Sequence, residues 1–130
     1  MLNSLSDVGE LVERLPKEYA CQVVEYLRGE RREFEGSFEQ EGTEFQQAVW
    51  RAMRRIPYGE TRAYGELASM AGYPRAARAV GSACNRNKLP IVVPCHRVVA
   101  SNGIGGYEFG IEAKKKLLEL ERMNCMDCNT

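Results

Sequence analysis

Glycine and proline residues divide this sequence into short stretches, and that division limits the fold more than any other feature. The breaks fall at Pro16, Gly29, Pro57, Gly59, the turn 72–74 and the glycine-rich segment 101–110. Proline cannot continue a helix and glycine often ends one, so each stretch is expected to form a separate short element. Within most stretches apolar residues recur every three or four positions, as in an amphipathic helix. We therefore expect a mainly α fold with a small β element.

Length and composition exclude several classes of protein. A chain of 130 residues, 44% hydrophobic and 28% charged, can bury one core, unlike a disordered tail, a collagen-like repeat or a coiled coil. The longest apolar run, 89–95, is too short to cross a bilayer, and no signal-peptide pattern follows Met1. We expect a cytoplasmic protein (nuclear if the source is eukaryotic) with reduced cysteines and no membrane partner.

The same patterns predict the individual elements along the chain. Ser6 or Asp7 can cap a first helix, and Pro16 either ends it or starts the next one. Gly29 can close a second helix over 19–27. An acidic linker over 30–44 precedes a third helix whose apolar residues run from 45 to 56. Further along, 91–93 is predicted as a buried strand, 111–123 as the last helix and 124–130 as a polar, frayed tail.

The formal net charge is zero, but the charges are distributed unevenly. Residues 51–97 carry nine basic and two acidic side chains, whereas 1–50 carry five basic and eleven acidic ones. One interpretation is an ordinary solvated surface. The other is a basic face that binds a polyanion such as the phosphates of a nucleic acid. The charges alone leave both interpretations open.

Two short helices within the basic block predict a helix-turn-helix. The first, which Thr61 could cap, contains Tyr64 and Leu67, and the second spans 75–85 after a tight turn. Small residues occupy positions 76, 77, 79, 81, 82 and 83 of the second helix. Close packing against another helix explains one face of it. The helix has few side chains that read bases in the major groove, but it is thin enough for the minor groove, where Arg78 can act as a wedge.

Cys95 and His96 are the first candidates for chemistry, because His96 is the sole histidine of the chain. A thiolate is a good nucleophile, and a histidine oriented by a carboxylate can take the thiol proton directly or through water. On this basis we expect Cys95 to titrate below a free thiol. The alternative is a buried cysteine that behaves as a small apolar residue.

Other cysteines and glycines give weaker signals. Cys125 and Cys128 form a single CxxC without the further ligands of a structural zinc site, so we expect tail cysteines without a role. The segment GIGGYEFG fails as a dinucleotide fingerprint because Glu108 stands where the last glycine is needed. The sequence therefore predicts neither a metal nor a cofactor.

The pentapeptide PCHRV at 94–98 resembles the O6-alkylguanine-DNA alkyltransferases, also called methylated-DNA–protein-cysteine methyltransferases. Further blocks match in the family's order, namely IPYGETRAYGELA, RAVGSACNRN, LPIVVPCHRVV and GGYEFGIEAKKKLLELE. The resemblance covers about 42–121. It implies a winged-helix-like, helix-turn-helix alkyltransferase domain over 44–123, with a tail over 124–130. A short helical segment and linker over 1–43 would replace the family's longer N-terminal αβ unit.

The resemblance implies a catalytic role for four residues. Cys95 would accept the alkyl group, and His96 would relay its proton through water. Glu121 would orient His96. Tyr64 would donate a proton toward the displaced guanine and press on the flanking phosphate.

It also implies residues that bind DNA and shape the pocket. Arg78 would fill the gap left by a flipped nucleotide, and its helix would meet DNA through Ala77, Ala79, Gly81 and Ser82. Asn87 would be a hinge, and Pro90 would line the alkyl pocket. Backbone groups at Cys95 and Val98 would accept from the guanine amine, and the loop at Tyr107 and Glu108 would contact O6. Glu108 and Phe109 are bulky for this loop, which favours a narrow pocket.

The implied function is DNA repair by a monomer without a cofactor. The alkyl group would pass irreversibly from O6-alkylguanine in double-stranded DNA to Cys95, with O4-alkylthymine as a further candidate substrate. An alternative is an alkyltransferase-like module that binds damage without transfer, although such proteins have another residue in place of the cysteine. A helix-turn-helix transcription factor is disfavoured, because the second helix has few base-reading side chains.

Overall fold

The structure, a computed structural model, describes residues 12–13 and 15–128, with the backbone alone at 126–128. The cap expected at Ser6 or Asp7 lies outside the described residues. Of the first expected helix, Val12 and Glu13 are helical and Leu15 is buried.

The described chain is mainly helical with one small sheet, which confirms the expected fold class. We number its helices α1 to α5 and its strands β1 and β2 in chain order. The helices are Lys17–Leu27, Glu44–Arg54, Tyr64–Met70, Ala77–Asn85 and Ile111–Cys128. The strands are Arg62–Ala63 and Val98–Val99, and a single 3-10 turn covers Cys95–Arg97.

The ends of α1 and α2 follow from local chemistry. Gly29 takes a φ of 79° after α1, and the Glu30 N–H donates to the Glu25 carbonyl at 2.9 Å, which closes the helix. At the start of α2, the Thr43 hydroxyl accepts from the Gln46 N–H at 3.1 Å, and the Gln46 side chain accepts from the Thr43 N–H at 3.0 Å. This reciprocal capping box satisfies donors that a helix start otherwise leaves unpaired.

The second helix of the helix-turn-helix is anchored on one face. Val80 and Ala83 of α4 are buried, and the Ala83 carbonyl accepts from the Trp50 indole at 3.0 Å. The close-packing interpretation of the small residues therefore holds for this face. The opposite face of α4 remains exposed at Arg78, Ala79 and Ser82.

The small sheet corrects the expected start of α3. Thr61 does not cap this helix. Arg62 and Ala63 instead pair in parallel with Val98 and Val99, so the helix starts only at Tyr64. Its first turn is satisfied by Glu66, whose side chain accepts from the Ala63 N–H at 2.8 Å. The sheet places Tyr64 beside the segment that follows Cys95.

The strand expected at 91–93 is wrong. This segment is a turn in which the Val93 N–H donates to the Leu89 carbonyl at 2.8 Å and Ile91 has a φ of 72°. Asn87 supplies the partners that a neighbouring strand would have given, since its side chain donates to the Val93 carbonyl and accepts from the Leu89 N–H. The apolar residues of segment 91–93 are buried as predicted, but they lie in a turn and not in a strand.

The prediction of a frayed tail from residue 124 is also wrong as far as Cys128. Helix α5 continues to that residue, and the Asn124 amide donates to the Gly29 carbonyl and to the Tyr58 hydroxyl, each at 3.2 Å. The Cys125 thiol donates to the Tyr58 carbonyl and packs so closely on Gly59 that a Cβ there would lie 2.4 Å from the sulfur. Cys125 thus has a packing role that its spacing from Cys128 did not indicate.

Among the described residues, no helix combines the length and the hydropathy needed to cross a bilayer.

Replacing Thr43 with alanine tests the capping box. Thr43→Ala removes the oxygen that accepts from the Gln46 N–H, so the free energy of unfolding should fall by about 1 kcal/mol in urea denaturation. Thr43→Ser keeps that oxygen and should retain most of the stability. Equal losses in the two variants would contradict the assignment.

Candidate active site

A cavity of about 440 Å³ lies between the helix-turn-helix and the glycine-rich loop. Its walls come from α3, α4, the 3-10 turn and the loop after β2. The lining residues are Tyr64, Gly81, Cys84, Asn85, Cys95, Gly106, Tyr107 and Glu108. The structure therefore brings together five of the residues expected at the site, and it adds Cys84, Asn85 and Gly106.

Cys95 is 8% exposed at the wall of this cavity. Burial raises the pKa of its thiol to about 11, and the nearby Glu108 adds to the rise. A hydrogen bond from Asn87 and the charge of Lys114 oppose the shift without cancelling it. The expectation that Cys95 titrates below a free thiol is therefore wrong. At neutral pH the resting sulfur holds its proton, so Cys95 could act as a nucleophile only if a base removed that proton.

Behind Cys95, His96 and Glu121 form a buried pair, with His96 Nε2 2.6 Å from Glu121 Oε2. Burial would raise the pKa of Glu121, but the hydrogen bonds donated by His96 and Arg97 and the guanidinium charge of Arg97 outweigh it and hold that pKa well below its usual range. Burial lowers the pKa of His96, against the opposing pull of Glu121. Glu121 is thus ionised and His96 neutral.

These protonation states fix the tautomer of His96. A neutral imidazole beside an ionised carboxylate carries its proton on Nε2, which leaves the Nδ1 lone pair open. Nδ1 is buried and has no hydrogen-bond partner among the described residues. The imidazole therefore presents one free basic nitrogen.

Tyr64 and the glycine-rich loop approach each other closely. Gly105 has a φ of 75°, and an added Cβ would lie 3.0 Å from the Ala100 nitrogen and 3.1 Å from the Tyr64 hydroxyl. Only glycine fits this backbone without strain. Burial raises the pKa of Tyr64, so its hydroxyl stays protonated at the cavity wall.

The expected DNA-binding residues of α4 and the expected hinge residue lie mostly outside the cavity lining. Ala77 of α4 is half-buried, while Arg78, Ala79 and Ser82 point to solvent beside Gly81 at the cavity. Asn87 is buried and also accepts from the Gln40 side chain at 2.9 Å.

Pro90 and Val98 are expected pocket residues that lie outside the lining of this cavity. Both are buried. The Val98 carbonyl, expected to face a guanine amine, accepts from the Lys114 ammonium at 2.6 Å. Lys114 is fully buried and also donates to the Gly106 carbonyl at 2.9 Å, which ties the glycine-rich loop to β2.

Besides the cavity-lining Cys84, Asn85 and Gly106, sequence reasoning missed Tyr26, Arg97 and Lys114, which contact the residues of the site. The position of Arg97 directly after the Cys-His pair was the sequence signal that could have indicated its place in the site. Its guanidinium donates to both oxygens of Glu121, at 2.9 and 3.0 Å, and to the Ile56 carbonyl at 2.8 Å. Tyr26 and Lys114 lie in helical patterns where tyrosine is typically a core residue and lysine a surface residue, so spacing gave no signal.

No group of three or more His, Cys, Asp or Glu side chains suited to a metal ion occurs within the described part of the chain.

Comparison with known sequences identifies the family. A family model described as 6-O-methylguanine DNA methyltransferase, DNA binding domain, matches residues 44–123. The chain is 51% identical over 106 residues to the methylated-DNA–protein-cysteine methyltransferase of Methanosarcina acetivorans, which covers 81% of this chain and 68% of that protein. The chain belongs to the 6-O-methylguanine DNA methyltransferase family. A constitutive Bacillus subtilis member is 50% identical over 105 residues, covering 79% of this chain and 64% of its own length.

Solved structures of the family have the same fold. Mycobacterium tuberculosis OGT in complex with DNA superposes with a TM-score of 0.78 at 49% identity, covering 82% of this chain and 67% of that one. Schizosaccharomyces pombe Atl1, in complex with damaged DNA containing O6-carboxymethylguanine, has a TM-score of 0.56 at 38% identity, covering 63% and 79%. The chain thus spans about two-thirds of the length of its methyltransferase relatives.

The reactivity of Cys95 toward iodoacetamide tests its high pKa. Because burial keeps the thiol protonated, its alkylation rate in the free protein should still be rising at about pH 9.5, above the ordinary thiol value. Peptide mapping by mass spectrometry separates Cys95 from Cys21, an exposed thiol that serves as internal control. A rate that levels off below about pH 8.5 would contradict the shift.

Proposed function

We propose that this chain repairs DNA by moving an alkyl group from O6 of guanine to its own Cys95 sulfur. The observation that carries the proposal is the position of that sulfur. It lies at the wall of a cavity beside the helix-turn-helix, with a histidine–glutamate pair buried directly behind it. This arrangement supplies a nucleophile, a base for its proton and space for one base.

The chemistry is an in-line displacement at saturated carbon. The Cys95 Sγ–H bond breaks and its proton passes through water to His96 Nδ1, which the Nε2–Glu121 contact prepares to accept it. The sulfur attacks the alkyl carbon, and the bond from that carbon to O6 breaks. Guanine takes a proton from the Tyr64 hydroxyl, which regains one from His96 through solvent. The thioether product does not hydrolyse, so each molecule acts once.

Access to the base requires that it leave the duplex. A cavity closed behind Cys95 cannot receive a stacked base, and flipping a nucleotide costs a few kcal/mol. The exposed face of α4 has small residues around Arg78, which suits minor-groove approach with one long side chain entering the stack. The basic residues of 51–97 add phosphate attraction. O6-alkylguanine is the proposed substrate class, and O4-alkylthymine a second candidate.

Mass measurement on the intact protein tests the transfer. After incubation with duplex DNA that contains O6-methylguanine, the protein should be heavier by one methyl group, located on Cys95 by peptide mapping, with at most one group per molecule. Cys95→Ser should stay unmodified while still binding the DNA. Tight DNA binding by an unmodified wild-type protein would favour the damage-binding module instead.

Arg78→Ala tests the base-flipping role of α4. Since Arg78 is exposed and outside the cavity lining, its loss should slow repair of duplex DNA by about tenfold or more, the effect of losing 1.4 kcal/mol or more of transition-state stabilisation. Reaction with free O6-benzylguanine should change much less. Single-turnover rates on both substrates give the comparison. Equal slowing on both would remove the proposed role, and Arg75→Ala provides a matched control in the preceding turn.

A further inference from the structure

The N-terminal segment reaches the buried pair behind Cys95 through one hydroxyl. Tyr26 of α1 is fully buried, and its hydroxyl donates to Glu121 Oε2 at 2.5 Å. The Tyr26 hydroxyl oxygen also lies 3.3 Å from His96 Nε2. Tyr26 precedes the segment that matches the family's DNA-binding domain, so this contact joins two parts of the chain at the site.

Glu121 is saturated with donors. Its Oε1 accepts from the Gly59 N–H at 3.1 Å and from Arg97 Nε at 2.9 Å. Its Oε2 accepts from His96 and Arg97 as well as from Tyr26. A carboxylate offers about four lone-pair positions, so these five donors share the lone pairs and the negative charge of one group. Tyr26 competes on the oxygen that holds His96.

We propose that Tyr26 is a positioning residue for the proton relay, because its hydroxyl fixes Glu121 Oε2 and limits how strongly that oxygen attracts the His96 proton. This inference rests on the proposed alkyl transfer. A hydrogen bond donated to an ionised carboxylate stabilises its charge and weakens it as a base. With Tyr26 in place, the imidazole stays neutral and keeps Nδ1 open for the Cys95 proton.

Every charged or titratable group around the pair enters this balance. Those facing His96 or Glu121 are Tyr26 of α1, Tyr58 of the turn after α2, Arg97 of the 3-10 turn, Tyr107 of the loop and Lys114 of α5. Burial raises the pKa of Tyr26 well above that of free tyrosine, and Glu121 adds to the rise. Tyr26 therefore remains a hydrogen-bond donor throughout the working pH range. Removing its hydroxyl should change the pKa of His96 in one direction only.

Tyr26→Phe removes the hydroxyl and keeps the ring, which packs 5.8 Å from Phe34 and 6.1 Å from Tyr58 between ring centroids. Without this donor Glu121 becomes a stronger base, so the imidazolium is better stabilised and the pKa of His96 rises. The acid limb of the rate–pH profile for methyl transfer should move to higher pH. Near neutral pH the single-turnover rate should fall by about tenfold, part of what a positioned base supplies.

Proton NMR provides a readout that does not depend on activity. His96 is the sole histidine of the 130 residues, so its ring resonances are unambiguous in a pH titration of this chain. Their midpoint should move up in Tyr26→Phe. Tyr19→Phe is the matched control, because Tyr19 is a buried tyrosine of the same helix whose hydroxyl has no partner among the described residues. It should leave the midpoint and the rate unchanged.

Site-specific 3-fluorotyrosine at position 26 protects the test against misfolding of the Phe variant. Fluorine makes the phenol a stronger donor, so the His96 midpoint should move down, opposite to the effect of phenylalanine. Midpoints that do not respond to either change would overturn the inference, as would a rate–pH profile in Tyr26→Phe identical to that of the wild type. Failure of the wild type to accept a methyl group would instead refute the proposed function. The NMR titration would still test the effect of Tyr26 on the pKa of His96, because it does not depend on methyl transfer.

Discussion

The buried carboxylate of Glu121 is the point at which the functional elements of this chain meet. An ionised group with 1% exposure is costly unless donors surround it. Here the donors come from α1, from the turn after α2 and from the 3-10 turn. Satisfying one charge therefore fixes the mutual positions of these segments. It also fixes the tautomer of His96, on which the proposed relay from Cys95 depends.

The elevated pKa of Cys95 changes the usual picture of an activated cysteine. A thiolate held permanently in the cavity would react with small electrophiles and with oxidants. In the proposed mechanism the buried thiol loses its proton only when the substrate and the accepting nitrogen of His96 are both in place, so the thiol is protected between encounters. Asn87 and Lys114, which favour the thiolate, reduce the energy needed for that loss without removing the protection.

Much of this was predictable from the sequence, and the failures have physical causes. Helices α1, α2 and α4 followed from periodicity and from glycine and proline positions, because those signals are local. The family followed from the resemblance of short sequence blocks. The 91–93 segment was misassigned because buried turns and buried strands are equally apolar, and the Asn87 side chain that satisfies it is a tertiary feature. The Tyr26–Glu121 contact joins residues 95 positions apart. The spacing within a single sequence cannot indicate such a pairing.

The last helix has one further implication, for protein engineering. Glu121 and Asn124 lie on consecutive turns of α5, one at the buried pair and the other against Gly29 and Tyr58. A label or fusion partner joined immediately after this helix would transmit force along it to Glu121, the carboxylate of the proposed relay. A flexible spacer after the helix would isolate the reactive sulfur from such mechanical load.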